Sequence, residues 1–140
     1  MPPHQARRRF AAARVAHLAT ADAAGRPHIV PVTFAVDGDV VYSAVDSKPK
    51  LGTALKRLAN VTANPAVALL VDHYADDWNE LWWVRADGTG RVVDPEDPEG
   101  VHALSLLADR YPRFAARGAV LAVDVRRWSG WAAAAATEKG

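Results

Sequence analysis

The chain has 140 residues, half of them apolar, and a formal net charge of +1. That is enough for one domain with a single core, and the near-neutral balance argues against a general nucleic-acid binder, which normally shows a broad basic face. No cysteine is present, which rules out disulfides and thiolate metal sites, and no apolar run approaches membrane-spanning length. The N-terminus is basic but lacks a continuous apolar stretch of the signal-peptide kind, so the chain reads as cytoplasmic and without a membrane partner.

In chain order, Pro3 to Arg14 is predicted as a solvated helix with Arg7, Arg8 and Arg9 outside and Phe10 and Ala13 turned inward. Val15 to Ala21 is a short apolar strand, Asp22 to Gly25 a turn, and Pro27 to Val36 a second strand of the same hairpin. Pro31 cannot donate to a ladder, so the backbone around it belongs at an edge or a bulge, where a ligand can approach unpaired groups. Asp37-Gly38 signals a two-residue turn into a strand from Val40 to Val45.

The stretch from Val40 to Leu70 is the most distinctive in charge. Three of the four lysines, Lys48, Lys50 and Lys56, lie there with Arg57, and no Asp or Glu occurs from Ser47 to Val71. Leu51, Leu55, Leu58 and Thr62 recur at helical spacing and leave Lys56 and Arg57 on other faces. Ser47 is a candidate N-cap and Pro49 suits the first turn, so the helix's free amides and positive dipole end would point where Lys48 and Lys50 gather. A phosphate suits such a place, although runs of charge most often mark a merely solvated face.

Asn64-Pro65 ends this helix, and Ala66 to Val71 is an apolar strand. The segment from Asp72 to Glu80 is acidic, with no spacing of EF-hand or zinc type, and reads as a loop and not a metal site. Leu81 to Val93 is either a hairpin closed at Asp87-Gly88 or one long strand bent at Gly88 and Gly90. Glu99 to Tyr111 has helical spacing and is stopped by Pro112, Ala119 to Val125 is the last strand, and Ala132 to Gly140 is a tail. Five or six strands with helices confined to connections and ends predict a mainly β fold with flanking α, a small antiparallel barrel, as one domain over residues 1–140.

The chain has no G-x-S-x-G elbow, H-E-x-x-H, Walker loop or G-x-G-x-x-G, and its histidines are scattered at positions 4, 17, 28, 73 and 102. If it is an enzyme, an organic cofactor supplies the chemistry and no side chain is an obligatory catalyst.

The succession ATADAAGRPHIVPVTF, VVYSAVDSKPK, NVTANPAVALLVDHY, LWWVRADGTGRVV and RRWSGW resembles the pyridoxamine 5'-phosphate oxidase-like split β-barrel superfamily over about Arg14 to Trp131. More narrowly, it is similar to the coenzyme F420-dependent oxidoreductase branch. The resemblance implies an FMN-binding-like antiparallel split barrel that favours the bent strand, and a homodimer with its cofactor at the interface. It places the cofactor phosphate at Tyr42, Ser43, Ser47, Lys48 and Lys50, and the tricyclic ring along Val30, Pro31, Val32 and Thr33. Trp78, Trp82 or Trp131 of the second subunit would give aromatic cover, and Lys56 and Arg57 would meet the acidic tail of coenzyme F420, which FMN lacks. Flavin oxidases of this group tend to carry an Arg-Lys pair in the phosphate turn, whereas this chain has Lys48-Pro49-Lys50, so the choice between coenzyme F420 and FMN stays open. The implied activity is hydride transfer to a small organic acceptor; the alternatives are an FMN-dependent enzyme and a non-catalytic cofactor-binding module. Five tryptophans in so short a chain also favour a dimer, since interfaces are rich in aromatics.

Overall fold

Alternating apolar residues build a seven-stranded antiparallel sheet, and the computed structural model describes residues 1–45, 53–115 and 118–133, with backbone alone for 53–55. The elements are α1 (Pro3–Ala12), β1 (Ala16–Ala21), β2 (Pro27–Val32), β3 (Ala35–Asp37), β4 (Val40–Ala44), α2 (Thr53–Ala63), β5 (Ala66–His73), a 3-10 turn (Trp78–Glu80), β6 (Trp82–Val93), α3 (Pro98–Arg110) and β7 (Val120–Ala132). The strand order is β2-β1-β5-β6-β7-β4-β3. Its two edges, β2 and β3, are consecutive in the chain. Val32 and Ala35 are three residues apart, a span of at most about 11 Å, so the sheet must curl until its edges meet. The edges are not hydrogen-bonded to each other, which makes this a split barrel.

The predicted single strand from Pro27 to Val36 is therefore two strands. The break is at Thr33-Phe34, where the Tyr111 hydroxyl accepts from the Phe34 N–H at 3.1 Å and lies 3.0 Å from the Phe34 and Arg14 carbonyls. A side chain some seventy residues away thus replaces the ladder bonds, and local sequence gives no sign of it. The bent-strand reading of Leu81 to Val93 holds: β6 pairs with β5 and β7 along its length, and the register with β7 shifts between Asp87 and Gly88. A Cβ on Gly88 would stand 2.3 Å from the Asp124 carbonyl oxygen, so only glycine allows the strands to come together there.

The last strand also differs from expectation, since β7 runs through Arg126-Arg127 to Ala132 instead of stopping at Val125. The register opposes Asp87 to Arg127 and Gly88 to Val125, which leaves Arg126 as the extra, bulged residue. Charge at a bulge costs little, and beyond it Trp128 turns back into the core.

The main core joins Leu18, Val32, Phe34, Val41, Val61, Leu69, Val71, Val84 and Trp128, and α1 closes it with Phe10. Phe10 lies 4.8 Å from the Phe34 ring centroid and 5.3 Å from that of Trp128. On the other face of β4 and β7, α3 covers a smaller cluster of Tyr42, Val93, Ala103, Val120 and Ala122.

Candidate functional site

The C-terminal half of α2 packs on β1 and β6. Asn60 and Thr20 are both buried, and the Asn60 Nδ2 donates to Thr20 Oγ1 at 3.1 Å. Val61 fills the space over Gly90, where a Cβ would come within 2.9 Å of its Cγ1, so this glycine lets the helix sit close to the sheet. The buried stripe of α2 is thus centred on Asn60 and Val61. Of the predicted stripe, Leu58 is half-buried and Thr62 is exposed, its hydroxyl donating back to the Leu58 carbonyl, while Leu51 and the Leu55 side chain lie outside the described residues.

The face that carries Asn60 also carries Arg57. Arg57 stands three residues before Asn60 and is half-buried, whereas Lys56 is exposed. The Arg57 Nε is buried without a hydrogen-bond partner among the described residues, and burial pushes the guanidinium pKa down from its ordinary value. The group remains cationic, because arginine does not deprotonate in proteins.

Strand β2 is an outer strand of the sheet, as Pro31 demanded. Val30 and Val32 face the core, Val32 fully buried, while Pro31 and Thr33 are exposed on the other face with Ile29. The edge therefore presents backbone and the exposed side chains of Ile29, Pro31 and Thr33.

Tyr42 and Ser43 are both buried but point to opposite faces. Tyr42 belongs to the cluster under α3, where its hydroxyl donates to Glu99 Oε2 at 2.8 Å. Burial first, and then the Glu99 carboxylate, push its pKa up to about 12. Glu99 is gripped in turn by Arg91 at 2.6 and 2.7 Å, and Arg91 also holds Asp124 at 2.8 and 3.1 Å. The Arg91 guanidinium, followed by the Tyr42 hydroxyl, holds the Glu99 carboxyl down at about 2. Tyr42 is thus committed to fastening α3 and does not join Arg57 and β2, whereas Ser43 lies on the same face of β4 as the core residue Val41. Ser47, Lys48, Lys50 and the Ser47 and Pro49 cap lie outside the described residues.

The tryptophans occupy the other end of the strands. Trp131 pairs with Trp83, which opposes Asp72 near the end of β5, whereas α2 leads into the start of β5. Trp131 is 49% exposed and Trp78 69%, so both are available to another molecule. Trp82 is engaged within the chain: the Arg9 guanidinium lies 4.9 Å above its ring and His73 stacks at 6.3 Å. One chain therefore brings Arg57 near β1 and β2 but leaves the exposed tryptophans distant. Thr20 and Asn60 were not singled out from sequence; the available signal was an asparagine beside Val61 in the interior of a helix. Among the described residues no group of three His, Asp or Glu is placed to hold a metal, and no helix is long and apolar enough to cross a membrane.

The fold is shared with solved structures. A conserved hypothetical protein from Mycobacterium tuberculosis superposes with a TM-score of 0.74 at 20% identity, over 94% of this chain and 85% of that one. A FAD-binding protein from Mesorhizobium loti gives 0.69 at 24% identity, over 93% and 94%. The heme storage protein HutZ from Vibrio cholerae gives 0.69 at 14% identity, over 94% and 95%. No curated protein matches the chain. A family model described as pyridoxamine 5'-phosphate oxidase matches residues 2–132, nearly the whole described chain, and by that match this protein belongs to the pyridoxamine 5'-phosphate oxidase family.

Proposed function

We propose that the protein is a coenzyme F420-dependent oxidoreductase that works as a homodimer on a small organic acceptor. The observation that carries the reading is the half-buried Arg57, whose Nε N–H lacks an acceptor among the described residues and lies in a stretch of sequence, Ser47 to Val71, without a single carboxylate. Buried donors are almost always satisfied, and a partly desolvated guanidinium is best satisfied by an anion. The residues therefore fit a phosphorylated cofactor with an acidic tail. Arg57 and Lys56 would hold the anionic portion together with Ser47, Lys48 and Lys50, and the edge of β2 from Val30 to Thr33 would lie along the ring. When bound, a reduced deazaflavin supplies the hydride. The chain's own groups bind, orient and exclude water, and no side chain is assigned a proton transfer.

The second copy of the chain is argued from the outer face of the sheet. Ala19, Ile29, Leu70 and Trp83 line an apolar groove of about 500 Å³ there, rimmed by His17, Asp72 and Arg85. Exposed apolar surface of this kind marks an interface, and a partner covering it would bring its own Trp78 or Trp131 toward the first chain's site.

An FMN-dependent reading is favoured by family membership and by the FAD-binding relative. Titration by cofactor fluorescence separates the two. The F420 reading expects tighter binding of coenzyme F420 than of FMN, with a preference that shrinks as salt rises because exposed contacts such as that of Lys56 are screened. Tighter FMN binding at both low and high salt contradicts it.

A further inference from the structure

Two nitrogen atoms around the Thr20–Asn60 contact have no hydrogen-bond partner among the described residues: Arg57 Nε and His28 Nδ1. His28 and Thr20 are directly opposed in the β1–β2 ladder, so their side chains share a face. Asn60 reaches Thr20 from α2, and Arg57 lies one helical turn earlier on the same side. Imidazole and guanidinium thus belong to one corner, bounded by the β1–β2 hairpin and α2. Both residues are half-buried, and the two unpartnered nitrogen atoms themselves are shielded from bulk water. The charged and titratable groups on the elements packed here are Asp22 and Arg26, paired with each other at 2.9 Å in the hairpin turn, His17 on β1, Lys56 and Arg57 on α2, and on β6 Arg85 and Asp87, which pair with each other, and Arg91, which is held by Glu99 and Asp124. Strands β1 and β2 and helix α2 contain no carboxylate of their own. Among the described residues the acceptor used here is Thr20 Oγ1, taken up by Asn60, and Arg57 Nε and His28 Nδ1 stay without a partner.

We infer that His28 is a second donor to the anion bound by Arg57, and that the charge on its imidazole sets the affinity of this corner. The inference rests on the reading above that the corner receives a cofactor's anionic group. Arg57 supplies a fixed charge, whereas an imidazole changes charge within the physiological range. The two together give a site that holds its ligand more tightly in mild acid.

The test is FMN fluorescence titration between pH 5.5 and 8.5 with the wild type, His28→Gln and Arg57→Gln, each checked for folding by circular dichroism. FMN's own phosphate titrates near this range, so the quantity read is the difference between wild type and His28→Gln. Wild-type affinity is expected to fall about tenfold more than that of His28→Gln as pH rises. Arg57→Gln is expected to weaken binding at every pH while keeping the slope. Superimposable profiles for wild type and His28→Gln overturn the inference. A second readout uses ¹⁵N-histidine spectra with inorganic pyrophosphate as the probe. The His28 Nδ1 resonance should move in the wild type and stay in place in Arg57→Gln; a resonance that stays in place in the wild type overturns the inference. If neither FMN nor coenzyme F420 binds while the resonance moves with pyrophosphate, the cofactor reading falls and the anion corner stands.

Discussion

Replacing Arg91 by methionine removes the cation at the centre of the contact between α3 and the sheet. In the native protein its guanidinium makes two forks, one to Glu99 at 2.6 and 2.7 Å and one to Asp124 at 2.8 and 3.1 Å. A charge-assisted hydrogen bond sheltered from water contributes about 1.5 to 3 kcal/mol, but the Arg91, Glu99 and Asp124 side chains are 40%, 35% and 46% exposed, so screening removes most of that. The expected loss is about 2 kcal/mol for the pair of forks, measured by urea unfolding at pH 7. The pH dependence sharpens the test. Glu99 is held at about 2 from an ordinary 4.5, so its contribution is fully present above 4.5 and is lost as pH falls toward 2. The gap between wild type and Arg91→Met should therefore narrow over that window. Tyr42 is raised to about 12 from 10.0, so its contribution is present below pH 10 and is lost as pH rises through 12. A gap under about 0.5 kcal/mol at pH 7, or one that does not narrow in acid, would refute the reasoning.

Three further outcomes follow from other parts of the molecule. Gly88→Ala puts a Cβ 2.3 Å from the Asp124 carbonyl oxygen and should cost about 1 to 3 kcal/mol of stability, read by thermal melting. If the proposed phosphate site is right, Lys48→Ala and Lys50→Ala should each weaken cofactor binding roughly tenfold while leaving the melting temperature unchanged. Trp83→Glu places a charge in the groove with Ile29 and Leu70 and should convert a dimer to a monomer by light scattering; a wild type that is monomeric at micromolar concentration refutes that assignment of the interface.

The barrel was largely legible because its strands are short apolar or alternating runs and its turns carry Gly, Asn and Pro. The misreadings have one cause, which is that distant partners override local pattern. Thr33-Phe34 reads as strand, yet Tyr111 takes over its backbone hydrogen bonds. Arg126-Arg127 reads as the end of a strand, yet a bulge accommodates it. In α2 the leucine spacing ran on to Thr62, which is exposed, whereas Gly90 opens room for Val61 and Thr20 fixes Asn60. Arg57 was named from charge alone, and its burial was not foreseeable. Tyr42 was named from resemblance, and its bond to Glu99 depends on a helix more than fifty residues later. His28 looked like one scattered histidine among five until the register put it across from Thr20.

The central claim is that a phosphorylated ring cofactor is held where α2 meets the β1–β2 end of the barrel. Amide ¹H–¹⁵N spectra recorded while adding coenzyme F420, and separately FMN, test it most directly. The account predicts that the largest shifts fall on Thr20, His28, Arg57 and Asn60 and along Val30 to Thr33, with Glu99, His102 and Arg91 left in place. Shifts centred on the α3 side, or none at saturating concentrations of either cofactor, would contradict it.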